Sequence, residues 1–144
     1  MSDLLELGRD ILKRQSFSTH VGAELAVFEA GRAELVLDVG DHLLQQNGFV
    51  HGGVVAYLVD NAITFAGGSV LGPNVLTQEY KVSFVRPAVG ARLIARAAVV
   101  HHSRRQAVCR CDVYATGADE EEKLCATALG TILGAGTPAD ESPS

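Results

Sequence analysis

The chain has 144 residues, 47% hydrophobic and 20% charged, which suits one globular domain with a core of its own. A formal net charge of −5 speaks against a nucleic-acid partner, whose footprint is a strongly basic patch. Residues 1–16 lack the unbroken apolar run of a signal peptide, and residues 50–70, the most apolar stretch, contain His51, Asp60 and Asn61. A cytoplasmic protein without a membrane partner is therefore expected.

Leu4, Leu7, Ile11 and Leu12 recur at helical spacing, so an amphipathic helix is expected over residues 3–15, within an N-terminal segment 1–16. Residues 17–22 read as a connector. Residues 24–28 and 32–39 read as strands, with Gly31 at the turn between them. The second alternates Ala33, Leu35, Leu37 and Val39 against Glu34, Val36 and Asp38. A polar loop, 40–50, leads into a central helix over 51–69, apolar almost all the way round, which Gly72-Pro73-Asn74 ends. Residues 75–85 alternate Leu76, Tyr80, Val82 and Phe84 against Thr77, Glu79, Lys81 and Ser83. Arg86-Pro87 breaks that strand, and three more follow over 92–101, 106–116 and 123–133.

One long helix followed by strands on short loops predicts an α+β domain over 17–134, an antiparallel sheet wrapped around the helix. The tail, 135–144, is rich in small polar residues and is expected to be disordered. Cys109 and Cys111 share a strand face with Ala107, Val113 and Ala115, and they read as small core residues, as does Cys125. No second Cys or His cluster stands at zinc spacing, so no metal is expected.

The chemistry gathers between Gln45 and Asn61. Asp60 is the one carboxylate in the central helix, and a buried carboxylate is costly unless paired or employed. Gly52 and Gly53 open the helix, where backbone N–H groups point outward and can hold a negative oxygen. His51 stands beside them. Carboxylate, oxyanion donors and His make up most of an acyl-transfer site. His51 and Asp60 lie about two and a half turns apart, on opposite faces, so an orienting role suits His51 better than a dyad.

The run Gly48-x-x-His51-Gly52-Gly53 with Asp60-Asn61 resembles the signature of the hotdog-fold acyl-CoA thioesterases. The nearest branch is the phenylacetyl-CoA thioesterase type, related to the hydroxybenzoyl-CoA thioesterases. Tyr80-Lys81-Val82-Ser83-Phe84-Val85-Arg86-Pro87-Ala88 resembles that family's long strand and its end. The resemblance implies Asp60 as general base or nucleophile and the Gly52 N–H as oxyanion donor. Gln45 would support the attacking water or the carboxylate, and His51 would orient the loop. It also implies a hydroxyl from a partner subunit, which alignment on Arg86-Pro87 places at Thr77. Many members of the branch carry Asn where this chain has Gln45, and Gln is typical of a sister branch.

Gly53 and Asn61, flanking members of the motif, are candidates for substrate binding. Arg86, Arg104 and Arg105 are candidates for the phosphates of coenzyme A, since Arg suits phosphate bidentately. The resemblance further implies hydrolysis of an aromatic or medium-chain acyl-CoA without a cofactor, by a homo-oligomer, a dimer or a dimer of dimers. The rival is a hotdog module that binds acyl-CoA without cleaving it. A hotdog hydratase would need an Asp–His or Glu–His pair set differently along the chain.

Overall fold

The computed structural model describes residues 3–135, so the tail expected over 135–144 lies outside the described residues beyond Ala135. Helix α1 (Asp3–Lys13) sits on strand β1 (Ala23–Glu29). Gly8 permits the close approach: a Cβ there would lie 2.5 Å from Phe28 and 2.6 Å from Leu25. Arg9 Nε donates to Leu25 O at 3.0 Å. The segment expected as a connector contains instead a short helix, α2 (Ser16–Val21), ended by Gly22 at φ 83°. So short a helix is not stable through its own propensity. Tertiary contacts hold it: Val21 is in the core, and Ser18 is buried and bonded to Gln15 and Tyr57.

Strand β2 (Arg32–Asp38) returns antiparallel to β1. The loop after it contains a single 3-10 turn, Asp41–Leu43. Helix α3 (Gly52–Leu71) then leads to β3 (Val75–Phe84), β4 (Arg92–His102), β5 (Gln106–Thr116) and β6 (Glu122–Gly134). The six strands form one antiparallel sheet in the order β1-β2-β4-β5-β6-β3. The sheet wraps around α3, as expected from the sequence. The placing of β3 at the edge beside β6, away from its chain neighbour β4, had no signal in the sequence.

Helix α3 buries Leu58, Val59, Ala62, Ile63 and Ala66 completely. It can sink into the sheet because the facing strands carry small residues, among them Ala95, Ala107, Cys109, Cys111 and Ala126, all fully buried. The three Cys are therefore spacers. Burial pushes the Cys109 thiol up to about 11 and the Cys111 thiol up to about 12, the latter with help from Asp112 and Cys109. Gly67 and Gly130 set the closest approaches. A Cβ on Gly67 would meet Ile132 at 2.8 Å, and one on Gly130 would meet Ile63 and Tyr80 at 2.7 Å.

One expectation about α3 needs correction. By length and apolar content α3 would pass for a membrane span, contrary to the sequence reading; half of it is buried against the sheet, as in a core helix. The helix is not enclosed all round. A stripe through Ala56, Tyr57, Asp60, Asn61, Thr64 and Gly68 stays partly open, because the sheet covers only one side of the helix.

The alternation expected for β3 holds only in its second half. The register with β6 shifts between Thr77 and Glu79, which leaves Gln78 as a bulge. An inserted residue reverses the facing of everything before it. Leu76 is thereby turned outward, 66% exposed, and Thr77 joins the face of Tyr80 and Val82 that looks toward α3.

Candidate active site

Asp60 sits midway along α3, partly buried, and its Oδ1 accepts from Thr77 Oγ1 at 2.6 Å. Thr64, one turn further on, lies 3.0 Å from Thr77 Oγ1 and 3.5 Å from Asp60 Oδ1, and its hydroxyl donates to Asp60 O at 2.7 Å. The β3 bulge is what brings Thr77 here. Thr77 thus serves the Asp60 of its own chain, which corrects the expectation that this hydroxyl comes from a partner. Asp60 Oδ2 has no protein partner among the described residues. Tyr80 stands close: burial, and then the Asp60 charge, push its phenol above the ordinary range.

Thr64 and Tyr80 are not among the site residues expected from the sequence. Thr64 had a signal, since a residue four positions on shares a helix face with Asp60. Tyr80 had none, because its place beside Asp60 depends on how β3 docks.

His51 is the N-cap of α3: its Nδ1 accepts from Gly53 N at 2.8 Å. In the neutral ring the proton is therefore on Nε2. This geometry suits an orienting residue. It also commits the Gly53 N–H to the cap, so Gly53, taken as substrate-binding, has no backbone donor to spare. The Gly52 N–H has no partner among the described residues.

Gln45 holds the preceding loop closed. Its Oε1 accepts from Asn47 N at 2.5 Å and Phe49 N at 3.2 Å, and its backbone N–H donates to Phe49 O at 2.8 Å. Its side-chain NH2 is left to donate elsewhere. Gln45, Phe49, Gly52, Phe84 and Arg86 line a common cleft of about 360 Å³. The cleft opens at the positive end of the α3 dipole.

The two halves of the site do not meet within one chain. Gly52 and Asp60 are eight residues apart on one helix, about 12 Å along its axis. The three Arg are divided as well. Arg86 follows β3 near Cys125, whereas Arg105 O accepts from Gly134 N, next to the start of β3. About 30 Å of strand lies between these ends. Asn61 is largely committed to structure: its Nδ2 donates to Gln15 Oε1 at 3.0 Å, to Tyr57 Oη at 3.1 Å and to Ser18 Oγ at 3.3 Å. That network ties α2 to α3.

Known proteins share this architecture. A thioesterase family protein from Silicibacter pomeroyi superposes with a TM-score of 0.83 at 37% identity, covering 88% of this chain and 93% of its own. A mutant of phenylacetic acid degradation protein PaaI from Thermus thermophilus is 31% identical, with a TM-score of 0.71 over 81% of this chain and 96% of its own. A thioesterase from Haemophilus influenzae, 24% identical with a TM-score of 0.77 over 92% and 91%, shares the fold. Residues 47–122 match the family described as Thioesterase superfamily. Because that match runs from the loop ahead of α3 to the first residue of β6, more than half of the chain, this protein belongs to the thioesterase superfamily and has its hotdog fold.

Proposed function

We propose that this protein is an acyl-CoA thioesterase of the phenylacetyl-CoA type, acting in the cytoplasm on an aromatic or medium-chain acyl group. The observation that carries the reading is the Asp60 carboxylate, half-open on α3 with one oxygen held by Thr77 and the other left for chemistry. The 31% identical PaaI supports the choice of branch. The unpaired, buried Cys suit a reducing compartment.

The site is completed by a second copy of the chain. Gly52 and Gln45 of one protomer face Asp60 of the partner subunit, which resolves the 12 Å separation (about eight residues of helix rise). Edge strand β3, open on one side, supplies the pairing surface. Antiparallel pairing of two β3 edges would also bring Arg86 of one protomer to the same end as Arg104 and Arg105 of the partner subunit, where the phosphates of coenzyme A could be shared between them.

The thioester oxygen then points at the Gly52 N–H. Acting as base, Asp60 takes a proton from water as the water oxygen bonds to the carbonyl carbon. The oxyanion is held by Gly52, the C–S bond breaks, and coenzyme A leaves as the thiol once protonated. Acting as nucleophile, Asp60 displaces the thiolate to form an anhydride that water opens. Either way free acid and coenzyme A are the products, and the Gln45 amide steadies the water or the carboxylate.

Free-thiol release from phenylacetyl-, benzoyl- and straight-chain acyl-CoAs tests the reading. Asp60→Asn should keep its circular dichroism and lose at least ~10²-fold in kcat. Binding of acyl-CoA without turnover by the parent protein would establish the non-catalytic module instead.

A further inference from the structure

An apolar trough over the C-terminal half of α3 is not used by the chemistry above. It holds about 390 Å³ and is lined by Leu4, Leu7 and Ile11 of α1, Phe28 of β1, and Phe65 and Gly68 of α3. Leu7 is 51% exposed because it stands over this opening and not in the core. The trough reaches Thr64, whose hydroxyl donates to the Asp60 backbone O at 2.7 Å and lies 3.5 Å from the carboxylate Oδ1. It therefore begins one side chain away from the reacting carboxylate.

We infer that this trough receives the acyl group of the substrate, an uncharged aliphatic or aromatic chain, and that α1 and Gly68 together set how large that chain can be. The inference rests on the thioesterase reading. Among the described residues no charged side chain lines the trough, so a dicarboxylic acyl group would lose water there without a cation in exchange. Gly68 is the adjustable position. A Cβ there meets only Val75 Cγ2, at an ordinary 3.5 Å, while its neighbour Gly67 is jammed against Ile132. A larger side chain at 68 would grow into the trough and leave the core packing alone.

The test uses Gly68→Leu, which fills the trough from α3. Leu7→Trp fills it from α1, at an exposed position that does not endanger folding. Two quantities are read: the ratio of kcat/KM for decanoyl-CoA to that for acetyl-CoA, and calorimetric binding of decanoate, which needs no turnover. Each variant should lower the ratio at least ~10-fold, the scale on which apolar pockets discriminate size. Each should weaken decanoate binding in step. The parent should also prefer butyryl-CoA to succinyl-CoA by at least ~10-fold. An unchanged ratio and unchanged decanoate binding in folded variants overturn the trough as the acyl site. Should the parent bind decanoate but hydrolyse no acyl-CoA, with both variants losing that binding, the thioesterase reading falls and the trough stands.

Discussion

At Asp60 the two carboxylate oxygens are not equivalent. Oδ1 is engaged by Thr77, and Oδ2 has no partner among the described residues, so the carboxylate is fixed in rotation while one oxygen remains available. A hydrogen bond to a charged group is worth about 1.5–3 kcal/mol, enough for roughly a tenfold or greater change in rate. Thr77→Val should therefore lower kcat about tenfold or more and cost about 1–3 kcal/mol of stability, and Thr77→Ser should retain most of the rate. Steady-state kinetics on the two variants decides whether the hydroxyl matters. The buried thiols give a second residue-scale expectation. In the native protein Cys109 and Cys111 ionise only near about 11 and about 12, whereas an exposed thiol ionises near about 8.5. At pH 8 none of the three Cys should react with a thiol reagent until the protein is unfolded. The unfolded chain loses these protons first, so this contribution to stability is complete below about pH 8.5 and declines as pH rises from there toward about 11. A urea midpoint that held steady from pH 7 to pH 10.5 would contradict that burial.

Among the elements, α3 and β3 position the residues of the proposed site. Two adjacent glycines on α3 have opposite surroundings. Gly67→Ala must push Ile132 aside and should cost about 1–3 kcal/mol, as overpacking does. Gly68→Ala has room and should gain about 0.5–1 kcal/mol from the better helix former. Denaturant unfolding of the pair measures how closely the helix is seated, and equal effects would argue that it is not. The bulge at Gln78 makes a sharper claim. Deleting Gln78 restores simple alternation and turns residue 77 away from α3. The deleted form should lose turnover at least as far as Thr77→Val while keeping its sheet by circular dichroism. Full activity would mean that the contact with Thr77 is not what orients Asp60.

For the whole molecule, the decisive feature is that Gly52, the proposed oxyanion donor, and Asp60, the proposed base or nucleophile, sit on one helix about 12 Å apart, too far to share a thioester. If two chains complete each other, two inactive variants should rescue one another. Asp60→Asn removes the carboxylate, and Gly52→Pro removes the N–H at the first helical position, where Pro is well tolerated. Each alone should be nearly inactive. Mixed in equal amounts and allowed to exchange subunits, they should recover about a quarter of the parental sites, because half of random dimers are mixed and each mixed dimer has one intact site. Recovery with a dimer or larger species in sedimentation supports the shared site. A monomer that is fully active by itself rules it out.

From sequence alone, the fold class and the strand and helix content were legible because they rest on local periodicity: two-residue alternation, a long apolar run, and Gly or Pro at the breaks. Asp60 and Gly52 could be picked out as candidates, because a carboxylate in an apolar helix and a His-Gly-Gly helix start are visible as strings. The tertiary structure alone decided which groups meet Asp60. Thr77 reaches it through a bulge that no alternation announces, and Tyr80 reaches it because β3 docks beside β6. The folding of residues 16–21 as a helix, and the use of Asn61 as its anchor, likewise depend on partners dozens of residues away. Periodicity records which side of an element faces the core. Which two sides finally touch is set by register and docking, and a single inserted residue is enough to change it.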